Sequence, residues 1–184
     1  MNNEPKMLSL RDSTPRFSLE DVVSGENYSL SSFKEKKELL VMFICRHCPY
    51  VKNIESGIVK LGNDYKDKDV AIVAISSNDP ERVPEDAPKS LAEQAKEKGF
   101  SFPYLFDADQ SVARAFTAQC TPEFFLFDEE RKLVYRGQFD DSRPGNGKEV
   151  TGRDLRDAID ALISGGSIDQ DQTPSTGCSI KWKQ

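Results

Sequence analysis

The sequence predicts an α/β domain, a central mixed β-sheet flanked by helices. Three observations carry this. Residues 39–44 and 70–75 are continuous apolar runs with the length and composition of strands buried on both faces. Between them apolar side chains recur at Val51, Ile54, Ile58, Leu61 and Tyr65, the alternating steps of three and four that give a helix one apolar stripe. Downstream, two further apolar segments and an amphipathic stretch supply an antiparallel strand pair and a closing helix. At 184 residues the chain fits one domain and can bury a core without disulfide or metal staples.

Residues 1–16, with Pro5 and Pro15, read as a loosely held polar arm; 17–166 read as the domain and 167–184 as a tail that packs on it. From Phe17 to Leu30 apolar and polar residues alternate around Ser24-Gly25, which predicts a hairpin. The strand at 39–44 ends on Cys45, and the strand-helix-strand order to residue 75 implies a right-handed crossover between parallel neighbours. Gly57 and Gly62 lower the intrinsic stability of the intervening helix. Pro80, Pro84 and Pro88 make 79–88 an irregular loop near the first strand-helix turn, leading into a short helix that stops at Gly99. A short extended piece follows, then a helix over 111–116 and a hairpin of 124–127 with 133–138. Thr151-x-x-Asp154 fits a capping pattern for a helix carrying Leu155, Ala158, Ile159, Leu162 and Ile163 and ending at Gly165-Gly166. A βαβ unit followed by ββα is the layout of the thioredoxin fold.

The 31 acidic and 25 basic side chains give a net charge of −6, which repels phosphate backbones and anionic headgroups, so neither nucleic acid nor membrane is expected as a partner. No apolar run approaches the ~20 residues that span a bilayer, and the polar start has no hydrophobic leader pattern, so a cytoplasmic location is expected. Four cysteines, at 45, 48, 120 and 178, are too few and too scattered for a disulfide scaffold; in a reducing compartment any disulfide is transient and chemical. No cofactor is expected, and the chain is expected to be a monomer or weak dimer.

The chemistry concentrates in Cys45-Arg46-His47-Cys48. Two cysteines three positions apart at a helix start bring their sulfurs within bonding distance, and the helix's free N–H groups and dipole favour a thiolate. Cys45 is the expected nucleophile and Cys48, one turn further in and less accessible, the expected resolving thiol. Arg46 and His47 are expected to lower the Cys45 pKa and to make the couple more oxidising than ordinary thioredoxin, whose potential is about −270 mV. Pro49, with no N–H, fits the first helical turn. The competing reading of Cys-x-x-Cys is half of a zinc site completed by Cys120, Cys178 or His47, but the second close cysteine pair of a zinc ribbon is missing. His47, the sole histidine, could also serve as a general base or stand solvated.

Beyond this motif, the chain resembles thioredoxin-like redoxins of the AhpC/TSA type, within them the group described as peroxiredoxin-like family one. The resemblance spans about 17–183 and is carried by Phe-Ile-Cys-Arg-His-Cys-Pro-Tyr-Val (43–51), Cys120-Thr121-Pro122, Asp140-Asp141-Ser142-Arg143-Pro144, Thr151-Gly152-Arg153-Asp154-Leu155 and Gly177-Cys178-Ser179-Ile180-Lys181-Trp182-Lys183. It implies that Pro122 is a cis-proline facing the active-site helix and that Thr121 offers backbone groups to an extended substrate peptide. A trans strand-initiating proline is the simpler alternative. Two departures stand out. Leu39 takes the place, by offset, of the buried aspartate of thioredoxins, so the proton acceptor for Cys48 is unassigned; and Glu38-x-x-x-Met42-x-x-Cys45 lacks the Pro-x-x-x-Thr-x-x-Cys of peroxiredoxins, and with it the hydroxyl that orients peroxide.

Cys120, beside Pro122, reads as a small buried hydrophobe or an extra redox thiol. Cys178 reads as part of a segment that packs back and buries Trp182, or as a third redox thiol. Asp140, Asp141 and Arg143 fit no calcium-loop spacing and read as a solvated loop held by an Asp-Arg pair. The function read from these residues is thiol-disulfide exchange with protein disulfide or dithiol substrates, served by a partner reductase. A thiol peroxidase, and a metal-binding or metallochaperone module using Cys45 and Cys48, are the alternatives.

Overall fold

The computed structural model describes residues 6–184. The hairpin pairs β1 (Ser18–Asp21) with β2 (Asn27–Ser29), and its turn is closed by Asp21 Oδ2, which accepts from the Ser24 N–H and hydroxyl. Gly25 completes that turn at φ 74°, a conformation only glycine adopts freely. The two apolar runs become β3 (Glu38–Phe43) and β4 (Val70–Ser76), parallel, with α1 (Pro49–Tyr65) as their crossover. Then come α2 (Pro88–Lys98), β5 (Tyr104–Phe106), α3 (Ser111–Phe116), β6 (Cys120–Thr121), β7 (Glu123–Phe127), β8 (Leu133–Gly137), α4 (Arg153–Ile163) and β9 (Cys178–Ser179).

Seven strands form one sheet in the order β2-β1-β5-β4-β3-β7-β8, parallel through β5-β4-β3 and antiparallel elsewhere. Period-two alternation divides β3 between two cores. Leu40, Met42 and Ile44 face the α1 stripe and Leu155 and Ile159 of α4; Leu39, Val41 and Phe43 face α3 and a cluster of aromatic rings. Phe116 is central there, with ring centroids 5.3 Å from Phe43, 5.4 Å from Phe125 and 6.0 Å from Phe127. Burial on both faces explains why β3 and β4 read as unbroken apolar runs. Gly57 and Gly62 are packing positions: a Cβ would press Phe139 and Val150 at the first, Ser101 and Phe102 at the second.

Three local expectations are corrected. The described part of the arm is anchored, not loose: Arg11 N donates to Leu133 O, Leu133 N to Asp12 O and Thr14 N to Arg131 O, and Leu8 and Leu10 pack on the aromatic core; residues 1–5 lie outside the described residues. The cap of α4 is Gly152 at φ 66°, with Thr151 Oγ1 accepting from Arg153 N, so the Thr151-x-x-Asp154 box does not form; Asp154 accepts from Gln138 Nε2 instead. The loop after β8 is not solvated around Asp140. That carboxylate is buried and accepts from the N–H groups of Ser142, Thr151 and Gly152, while Arg143 bonds the backbone carbonyl of Asp140 and the side chain of Gln138.

Beside the main sheet, β6 and β9 form a separate antiparallel pair, Cys120 opposite Ser179 and Thr121 opposite Cys178. The tail is fastened along its length. Gln138 N donates to Thr173 O, Ile180 N to Gln119 O, Lys181 N to Asn78 Oδ1 and Lys183 N to Gln110 Oε1. Ile180 is buried, and Trp182, half-buried, lies 4.5 Å beneath the Arg114 guanidinium.

Candidate active site

Cys45 stands just beyond the end of β3, and Cys48 is the N-cap of α1, with Pro49 at the first helical position where a missing N–H costs nothing. The helix therefore starts after the motif, and Cys45 lies in the connecting turn rather than in the first helical turn. Both residues are 0% exposed, so the expected difference in access between them is absent. What closes the site is the cis peptide Thr121-Pro122 together with the tail. Thr121 Oγ1 lies 3.3 Å from Cys45 Sγ, Thr121 O accepts from Cys48 Sγ at 3.3 Å, and Cys178 Sγ lies 2.7 Å from Cys48 Sγ. Three thiols thus gather at Thr121, with Cys48 in contact with Cys178.

The turn is held by a residue that the motif does not contain. Asp86, fully buried, ends the 3₁₀ turn Pro84–Asp86 in the proline-rich loop. Its Oδ1 accepts from Arg46 N at 2.8 Å and His47 N at 3.1 Å; its Oδ2 accepts from Asn78 Nδ2 at 2.9 Å and pairs with His47 Nδ1 at 2.5 Å. Gln94 of α2 supports the turn from below, donating to Cys45 O and to Glu55 Oε2 while accepting from the Tyr104 hydroxyl. Asp86, Gln94 and Glu55 were not singled out from sequence; the proline loop's expected nearness to the motif was the sole signal.

The charges act differently from the sequence expectation. Arg46 turns away, its guanidinium bonding Ser90 O and the Glu93 and Glu97 carboxylates of α2. The Cys45 thiol is pushed up, first by the hydrogen bond shared with Cys48, then by burial and the Asp86 carboxylate, with the Thr121 hydroxyl opposing. Cys48 is lowered, first by the Cys45 thiol, with the Cys178 thiol and the Val51 and Cys178 backbone groups adding against burial. Within the pair the surroundings therefore favour a thiolate at Cys48, the helix N-cap, over one at Cys45. Cys178 is raised by burial and then by Cys48, and Cys120, which is not part of the cluster of three, is pushed up by burial to about 12.

Cys45, His47 and Asp86 offer ligand atoms all within 4.8 Å of one another, the sole such group of three or more among the described residues. Cys48 is not in it, so the set Cys45, Cys48 and His47 read from sequence does not converge. Both Asp86 oxygens already carry two hydrogen-bond partners each, and a cation there would have to displace them.

A sheet of this order, with a Cys-x-x-Cys turn entering a helix opposite a cis-proline, defines a thioredoxin-fold redoxin. The same fold is found in the thioredoxin domain of a thiol-disulfide oxidoreductase from Bacteroides vulgatus, at TM-score 0.60 and 23% identity over 82% of this chain and 99% of that one. The chain belongs to the AhpC/TSA family, whose profile matches residues 10–136. It is similar to an uncharacterized conserved protein of Geobacillus kaustophilus, 49% identical with TM-score 0.94, covering 97% of this chain and 94% of that one. It is also 28% identical over 118 residues to the thiol-disulfide oxidoreductase ResA of Halalkalibacterium halodurans, covering 64% of this chain and about 62% of that relative's length. No helix among the described residues is long and apolar enough to cross a membrane.

Proposed function

We propose that the chain is a thiol-disulfide oxidoreductase in which Cys45 and Cys48 form the redox couple and protein disulfides or dithiols are the substrates. The observation that carries this is the placement of both sulfurs against Thr121, one at the helix N-cap and one in the turn before it. In the reducing direction one thiolate of the pair attacks a substrate disulfide and releases the first substrate thiol. The second then displaces the mixed disulfide, leaving a Cys45–Cys48 bond and two substrate thiols. A partner dithiol returns the couple to its reduced form. The named activity of the ResA relative supports the same reading. Full-length protein with a dithiol donor is expected to reduce insulin, and Cys45→Ser to abolish the turnover; wild-type rates no higher than those of Cys45→Ser would refute it.

One contact favours a second reading, a thiol peroxidase. The hydroxyl absent from the sequence position of the peroxiredoxin threonine is supplied from another strand by Thr121 Oγ1 at 3.3 Å from Cys45 Sγ. Consumption of one peroxide per chain with a trapped Cys45 sulfenate, lost in Thr121→Val, would support it.

A further inference from the structure

We propose that Cys178 is a third redox thiol whose disulfide with Cys48 latches the C-terminal strand into the groove where a substrate strand would pair. The inference rests on the Cys45/Cys48 couple proposed above and adds a partner for it within the chain.

The groove is already occupied. Thr121 pairs with Cys178 across β6 and β9, so the backbone that the family resemblance assigns to an extended substrate peptide is used by the chain's own tail. The fit is close: a Cβ at Gly177 would run into the Thr121 carbonyl, so a residue larger than glycine cannot lie there. Cys178 lies opposite Thr121, whose carbonyl accepts from Cys48 Sγ, and its sulfur is 2.7 Å from that of Cys48. A disulfide needs about 2.05 Å, so a small side-chain movement closes it. Cys178 is also the partly exposed member of the three, whereas Cys45 and Cys48 are sealed.

The chemistry balances without an added oxidant. After a turnover that leaves the Cys45–Cys48 bond, the Cys178 thiolate attacks the Cys48 sulfur. The Cys48–Cys178 bond forms, the Cys45–Cys48 bond breaks, and its electron pair leaves on Cys45, which takes up the proton Cys178 gave up. The step is an isomerisation with no net redox change. An external dithiol reopens the latch by attacking the sulfur of the partly exposed Cys178. Cys48 leaves as the thiolate, the form its surroundings stabilise, and the second thiol of the reductant then frees Cys178 as the reductant becomes a disulfide.

Trypsin separates the three sulfurs, since cleavage after Lys37, Arg46, Lys52, Arg156 and Lys181 puts Cys45 in peptide 38–46, Cys48 in 47–52 and Cys178 in 157–181. Full-length protein is oxidised mildly with diamide, its free thiols are alkylated, and the linked peptides are identified by mass spectrometry. The expected result is a 47–52/157–181 link in wild type, its enrichment in Cys45→Ser, and its loss in Gly177→Val, in which the tail is dislodged and Cys178 alkylates faster. Wild type and Cys45→Ser that both lack this link would overturn the latch, even where 38–46/47–52 forms and the exchange function stands. Conversely, Cys178→Ser that never forms the 38–46/47–52 link, beside a wild type that links Cys48 to Cys178, would sink the proposed couple and leave the Cys48–Cys178 bond in place.

Discussion

Asp86→Asn separates what one buried carboxylate does for the fold from what it does to a thiol. The asparagine carbonyl can take the place of Oδ1 and keep the Arg46 and His47 N–H bonds. Its amide then occupies the place of Oδ2 and meets the Asn78 amide donor-to-donor, while the pairing with His47 Nδ1 loses its charge. A lost hydrogen bond to a charged group and an unsatisfied buried donor together come to about 3 kcal/mol. At roughly 2–4 °C per kcal/mol for a chain of this size, the melting temperature should fall by about 6–12 °C. Asp86→Ala removes all four bonds and should cost more.

The same substitution has the opposite sign at Cys45. The Asp86 carboxylate is one of the groups that push this thiol up, so its removal should make Cys45 more acidic. The assay is ultraviolet absorbance of the thiolate against pH in a variant retaining Cys45 as its sole cysteine, beside thermal melting of the same protein. A generally loosened fold is controlled by Phe116→Ala, comparably destabilised on the far face of the sheet, which should leave the Cys45 titration in place. A Cys45 pKa that stays or rises in Asp86→Asn, or a melting temperature within 1–2 °C of wild type, about half a kcal/mol, would refute this account of Asp86.

Phe116→Ala itself should cost about 3–5 kcal/mol by urea unfolding, because the ring is fully buried against Phe43, Phe125 and Phe127. Stability should fall above about pH 9: Cys120 is raised from 9.0 to about 12, so over that window the unfolded chain has released a proton that the native chain keeps. Tyr65 and Tyr135, raised chiefly by burial, extend the loss beyond pH 10, and unfolding midpoints measured at successive pH values check the slope. By the same shift Cys120 should resist iodoacetamide at pH 8 in the folded protein, read as the unmodified peptide.

The sheet was legible because its central strands are buried on both faces and so spell themselves as uninterrupted apolar runs, with α1 between them showing its stripe. Pro49 marked the first helical turn, but placing Cys45 in that turn as well starts the helix too early. What sequence could not show is how side chains choose partners across the fold. Asp86 is one of 31 acidic residues, distinguished only by a loop that carries it under the motif. Arg46 looked like a neighbour for the thiolate, and two glutamates on α2 take it away. β9 is two residues long, too short for any periodicity, and takes its conformation from pairing with Cys120 and Thr121 of β6.

That dependence bears on how the site opens. Sulfurs at 0% exposure cannot meet a substrate disulfide in line, so exchange requires the tail to leave first. The stretch leading to Cys178 is suited to local release, its strand having only two residues, whereas beyond Cys178 the tail bonds the buried side chains of Asn78 and Gln110. Its firmest attachments, buried Ile180 and Trp182 under Arg114, lie beyond Cys178, whereas residues 164–177 ahead of it are largely exposed. Opening that starts on the exposed side would lift Gly177 and Cys178 from Thr121 while Ile180 and Trp182 stay seated. Reactivity at Cys45 and Cys48 is then set by the free energy of this partial release, which a bond from Cys48 to Cys178 would raise and its reduction would lower.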